Sequence, residues 1–203
     1  MPDFALERAS AASPVCGIDE AGRGPLAGPV FAAAVVLDPA RVPPGIDDSK
    51  KLARGARRRI ACELAAVAAI GLGQASVREI DATDILKATL LAMRRALDDL
   101  CACLGRMPAV ALVDGNRLPE LPCPARAVVG GDGKSLSIAA ASIMAKVARD
   151  ALMAELARAH PQYGWERNAG YGTPEHLAAL TRFGATPHHR ITFTPIHNLL
   201  IPR

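Results

Sequence analysis

Four acidic residues follow or close short apolar runs. Asp19 and Glu20 end the run over residues 15–18, Asp114 follows Ala-Leu-Val, and Asp132 follows Val-Val-Gly-Gly. In open α/β sheets the strand ends border the ligand crevice. Neighbouring strands lie about 4.8 Å apart, so acids at their ends can converge. Carboxylates gathered in one place resist ionising together unless cations neutralise them. Hard divalent ions such as Mg²⁺ or Mn²⁺ take oxygen ligands of this kind. A pair of such ions activates a water and stabilises a leaving alkoxide at phosphorus. Acids also end strands as turn residues or helix caps. Asp19-Glu20 is harder to explain that way, because it interrupts an apolar, Gly-rich stretch.

Two glycine-rich stretches suggest nucleotide sites but do not fit them. Gly22-Arg23-Gly24-Pro25-Leu26-Ala27 matches GxGxxA, yet Pro25, Gly28 and Pro29 prevent the helix that a dinucleotide site requires. Gly133-Lys134-Ser135 resembles the end of a P-loop, but Val128 stands where the first glycine belongs. Either stretch can still offer backbone N–H groups to a phosphate or sugar. Ser135 or Ser137 is equally suited to cap a helix.

The elements that must position these residues are legible in outline. Residues 15–19 and 30–37 read as strands of a hairpin joined by the GRGPLAGP turn. Helical composition covers residues 54–70, and a strand returns over 71–77. Residues 81–104 read as helix with a break. Short strands at 110–113 and 127–129 precede a long helix over 135–159. A short helix over 174–183 and a proline-bearing tail that wraps the domain complete the chain. This order predicts an α/β fold, a mixed sheet with helices on its faces. Residues 1–13 read as a flexible tail, and residues 14–203 as one domain ending in a helical segment.

Composition narrows the class. Of the 203 residues, half are apolar and 22% charged, which excludes wholesale disorder. Aromatics make up only 3%, so the core must be built from small aliphatic side chains. The longest apolar runs, at 30–37 and 64–72, fall far short of the ~18 residues of a membrane span. The N-terminus lacks the apolar core of a secretory signal. The five cysteines form no CxxC pair, which predicts free thiols in a reducing cytoplasm. A formal charge of +4 suits a polyanionic ligand without demanding one.

Six segments in order resemble the bacterial ribonuclease HII family. They are GIDEAGRGPLAGPV at 17–30, DDSK at 47–50, VDG at 113–115, GDGKSLSIAAASIMAKVARD at 131–150, GYGT at 170–173 and HR at 189–190. The resemblance spans residues 15–196. It implies a ribonuclease H-like fold and an endonuclease acting on RNA–DNA hybrids and on ribonucleotides embedded in duplex DNA. It implies Asp19, Glu20, Asp114 and Asp132 as catalytic, metal-binding acids for Mn²⁺ or Mg²⁺. It implies substrate contacts by Gly22, Arg23 and Gly24 at the junction ribose, and by Tyr171 at the following nucleotide. Lys50, Lys134 and Ser135 match positions that touch the backbone or support the site. A cytoplasmic monomer that removes misincorporated ribonucleotides is the expected setting.

Ala169 stands where many relatives carry lysine, and Thr192 where serine is common. Asp150, deep in the long helix, reads as a helix-surface or pairing residue. His188, His189 and His197 read as structural or surface residues. Two rival readings keep the same fold: a non-catalytic hybrid-binding module, and a metal nuclease for another substrate, such as a resolvase or exonuclease.

Overall fold

The hairpin forms as its sequence pattern predicts. In the computed structural model, which describes residues 1–200, β1 (Val15–Ala21) pairs antiparallel with β2 (Val30–Val36). β2 pairs antiparallel with β3 (Ala69–Ala75). On the other side, β1 pairs in parallel with β4 (Val110–Asp114), which pairs in parallel with β5 (Ala125–Val128). The sheet order is therefore β3-β2-β1-β4-β5.

Alternate residues of β2 face opposite layers, as the two-residue period of a strand requires. Val30, Ala32 and Ala34 join the core under α4 (Ile85–Leu104). Ala33 and Val35 join the core under α2 (Arg54–Val67) and α5 (Leu136–Ala159). Small residues let these layers close without aromatics. A side-chain carbon at Gly71 would lie 2.1 Å from the Leu100 nitrogen of α4, and one at Gly17 2.1 Å from the Ser137 carbonyl carbon of α5. Both helices thus rest almost on the sheet backbone, at the density of a native interior.

Local signals set the helix ends. The break expected within residues 81–104 separates α4 from α3 (Val77–Ala82), and Asp84 caps α4 by accepting from the Lys87 N–H. Ser76 and Glu79 form a reciprocal capping box on α3. The C-terminal part contains α6 (Trp165–Asn168), α7 (Pro174–Phe183) and α8 (Thr194–Leu200). Its core stacks Tyr163 on Trp165, with ring centroids 5.1 Å apart, against Leu26, Met153, Leu180 and Ile196.

Residues 1–13 correct the expectation of a flexible tail. They contain α1 (Ala5–Ala9) and pack on the domain. Asp3 bridges residue 135, with its N–H donating to the Lys134 carbonyl and its own carbonyl accepting from the Leu136 N–H. Glu7 Oε1 accepts from Ser135 Oγ at 2.6 Å and Ser137 Oγ at 2.7 Å. Glu7 thereby satisfies polar groups at the start of α5.

Candidate active site

β1 and β4 lie side by side, with Ile18 opposite Val113, so the next residues, Asp19 and Asp114, come together where β4 ends and β1 continues to Ala21. Glu20 follows on β1. One carboxylate oxygen from each of Asp19, Glu20 and Asp114 lies within 4.8 Å of the others. Backbone donors fix two of them. The Glu20 N–H donates to Asp19 Oδ1 at 2.7 Å, and the Gly131 N–H donates to Asp114 Oδ1 at 2.6 Å.

Asp132 stands just outside this triangle. β5 ends at Val128, and a left-handed turn at Gly130 leads into the short 3-10 helix Gly131–Gly133 that carries it. Lys50 Nζ lies 3.4 Å from Asp132 Oδ2. The loop bearing Lys50 is anchored from below, where Ser142 of α5 donates to Ser49 Oγ at 2.7 Å.

The electrostatics are frustrated. Burial, then the neighbouring Glu20 and Asp114, push the Asp19 carboxyl well above the ordinary carboxylate range. Burial and Asp48 push Asp132 up, against the lowering influence of Lys50. Exposed Lys50 and Arg23, whose Nη1 is 3.4 Å from Glu20 Oε1, are the cations paired with these acids. A compact set of hard oxygen donors short of positive charge fits a divalent cation. Beside the acids opens a groove bounded by Glu20, Arg23, Asp114, Asn116 and Arg117.

β1 runs directly into the glycine turn. Gly22 has φ +98°, and a side-chain carbon there would lie 2.0 Å from Arg149 Nε, so only glycine fits. Gly24 lies beside the ring of Tyr171, which is half-exposed. The structure therefore brings Gly22, Gly24 and Tyr171 together, with Arg23 reaching back to Glu20. Lys134 turns away and donates to the Val129 carbonyl at 2.6 Å. Ser135 corrects its sequence-based expectation as a substrate contact. It is fully buried, caps α5 through the Ile138 N–H and donates to Glu7.

Asp150 pairs with Lys146 at 2.7 Å, as its place in the helix suggested. His189 is structural, in a buried chain that also contains His176. The Thr186 N–H donates to His189 Nδ1 at 2.9 Å, which leaves the proton on Nε2 to donate to His176 Nε2 at 3.1 Å. His176 Nδ1–H then donates to the Tyr171 carbonyl at 2.9 Å. Burial lowers both imidazoles, His189 to about 4.

Sequence reasoning missed His176, Arg149 and the role of Arg190. The latter two are fully buried guanidiniums. Burial lowers Arg149 to about 10 and Arg190 to about 9, so both stay charged at neutral pH. The available signals were an arginine in the middle of the small-residue helix α5 and the arginine of the HR pair.

Comparison with known proteins agrees with this architecture. The family model described as Ribonuclease HII matches residues 16–196. Ribonuclease HII of Paramagnetospirillum magneticum is 63% identical, covering 99% of this chain and all of the relative. That of Rhodospirillum rubrum is 62% identical, covering 98% and 92%. The crystal structure of ribonuclease H2 from Pyrococcus horikoshii superposes with a TM-score of 0.76 at 25% identity, covering 91% of this chain and 96% of that one. Bst-RNase HIII in complex with Mn²⁺ shares the fold, with a TM-score of 0.77 at 20% identity, covering 92% and 68%. With a family model spanning nearly the whole domain and relatives identical at three positions in five, the chain belongs to the ribonuclease HII family and is a metal-dependent ribonuclease H.

Proposed function

We propose that this chain hydrolyses the RNA strand of RNA–DNA hybrids and cuts 5′ to ribonucleotides embedded in duplex DNA, by two-metal-ion phosphodiester hydrolysis. Its cellular task is then ribonucleotide removal from DNA. The observation that carries the reading is the continuity of β1. The strand that brings Asp19 and Glu20 to Asp114 leads straight into a glycine turn facing Tyr171.

Asp19, Glu20 and Asp114, with Asp132 beside them, would hold Mg²⁺ or Mn²⁺. Bound there, the ions supply Lewis acidity and a water polarised for attack. The protein's own residues do the rest. Asp19 and Asp114 are held by backbone donors, so their oxygens need no reorganisation during the reaction. Water attacks phosphorus in line, the P–O3′ bond breaks, and 3′-hydroxyl and 5′-phosphate ends result. Lys50 and Arg23 lie where they can approach the phosphate backbone while balancing Asp132 and Glu20.

Selection of the junction falls to the turn and Tyr171. The carbonyls of Gly22 and Arg23 point inward to Arg190. Carbonyl and N–H oppose each other across a trans peptide, so the N–H groups of Arg23 and Gly24 point outward. They suit the 2′-hydroxyl displayed in the minor groove of a hybrid. The Tyr171 ring then packs against the following sugar and favours deoxyribose. The test is a panel of DNA duplex, RNA duplex, RNA–DNA hybrid and duplex DNA with one ribonucleotide, each with Mg²⁺, Mn²⁺ or chelator. Cleavage limited to the last two substrates and abolished by chelator is expected. Cutting of plain DNA, or of single ribonucleotides on their 3′ side only, contradicts the reading.

A further inference from the structure

Gly22–Pro29 and Ala169–Tyr171 are far apart in the chain, yet they meet over α5. Leu26 N–H donates directly to the Gly170 carbonyl at 2.8 Å. Beneath that contact lies Arg149, with no exposed surface. Its Nε donates to the Pro29 carbonyl at 3.0 Å and its Nη2 to the Ala27 carbonyl at 2.9 Å. Its Nη1 donates to the Ala169 carbonyl at 2.9 Å. One side chain thus holds both segments at once. One helical turn onward, Met153 fills the remaining space, since side-chain carbons at Gly28 and Gly170 would lie 2.3 Å from its Sδ and 3.2 Å from its Cε.

Arg190 grips the turn from the opposite end of the chain. Its Nη2 donates to the Gly22 carbonyl at 2.6 Å, its Nη1 to the Arg23 carbonyl at 2.9 Å and its Nε to the Gly28 carbonyl at 2.9 Å. Every hydrogen-bond partner of both guanidiniums is a backbone carbonyl, Arg190 also lies over the Phe193 ring, 5.0 Å from its centroid, and among the described residues neither forms a salt bridge. Burying two charges without counter-charges is costly, and apolar side chains would fill the same space more cheaply. What the guanidinium fork provides is direction, because its donors are planar and fixed.

We propose that Arg149 and Arg190 are positioning residues for junction recognition. Arg190 turns the carbonyls of Gly22 and Arg23 inward and so presents the N–H groups. Arg149 sets the separation between that turn and the Tyr171 ring, matching a ribose followed by a deoxyribose. This inference rests on the reading that the turn and Tyr171 contact the substrate. Neither arginine touches substrate itself.

The experiment compares the ratio of kcat/KM on a single-ribonucleotide duplex to that on a long RNA–DNA hybrid. Arg149→Lys and Arg190→Lys keep a charge but lose the fork. Misplacement of about 1 Å can cost on the order of 100-fold in rate, so the ratio should fall at least about tenfold in each. Calorimetric Mn²⁺ affinity should stay unchanged, because the carboxylates are held elsewhere. A merely structural role would slow both substrates equally and leave the ratio alone, and that result overturns the proposal. Tyr171→Ala separates the two ideas. If it lowers the ratio while the lysine variants do not, the proposal fails and the junction reading stands. If Tyr171→Ala leaves the ratio unchanged, the junction reading fails and takes the proposal with it. Should a lysine variant not fold, Met153→Ala, which loosens the contact between Gly28 and Gly170, carries the same comparison.

Discussion

Tyr171 leaves room at Gly24 for no more than a small side chain: a side-chain carbon at Gly24 would lie 3.5 Å from Cε1 of the ring. The two residues are brought together by the packing of the C-terminal segment on the turn that follows β1. Tyr171 is 46% exposed, so much of it is open to a ligand.

Tyr171→Ala should slow cleavage of a single-ribonucleotide duplex. Loss of a stacking-type contact costs about 1–3 kcal/mol, or roughly ten- to hundred-fold in rate. Tyr171→Phe should retain most of the rate, because the packing surface survives. Single-turnover kinetics on both substrates checks this, and an unimpaired Tyr171→Ala enzyme would make the ring structural.

Asp19→Asn and Asp114→Asn should abolish most activity in Mg²⁺ while leaving the fold intact. In chelator, Asp19→Asn should melt at a higher temperature than the parent at neutral pH. The sign follows from a carboxyl held well above its ordinary range by burial and by Glu20 and Asp114. Ionising it costs the folded state free energy above the unfolded pKa of ~3.9, and an amide removes that cost. Calorimetric melting with and without metal tests the sign, and full activity of Asp114→Asn in Mg²⁺ would remove that residue from the site.

Lys50 is the exposed partner of Asp132, with its ammonium free to reach a phosphate. Hybrid binding should weaken steeply with salt as counterions are displaced. Lys50→Ala should lower the slope of log affinity against log salt by about one. Binding titrations over a salt series measure this; an unchanged slope would leave Lys50 with Asp132 alone.

The pair His176 and His189 should make stability pH-dependent in mild acid. Burial, above all, lowers His189 to about 4 and lowers His176 as well, against ~6.5 in the unfolded chain. Their contribution is full above ~6.5 and is lost as pH falls from there toward the folded values, since the unfolded chain then binds more protons. His189→Gln should flatten that part of the melting-temperature profile. An equally steep profile in the variant would assign the acid sensitivity to other groups.

Much of this protein is legible locally. The hairpin, the helix break met by the Asp84 cap and the long helix α5 follow from two- and 3.6-residue periods, turn residues and caps. Asp19, Glu20 and Asp114 stand out because strands are apolar and acids within them need a reason. The same local reading takes residues 1–13 as loose, and it offers Ser135 as a helix cap without disclosing that Glu7 joins it at the start of α5. It groups Asp132 with the other acids but does not disclose that the turn after β5 also sets it beside Lys50. It passed over Arg149, which sequence alone cannot distinguish from a solvated helix arginine. Which segments become strands and helices, and which acids they carry, follows from local pattern. The placement of β4 beside β1 and the joining of Ala27 to Ala169 by Arg149 come from long-range packing. Periodicity and capping are set by neighbours a few residues away, while the distances within the site depend on packing between segments as distant in the chain as Ile18 and Val113 or Ala27 and Arg149.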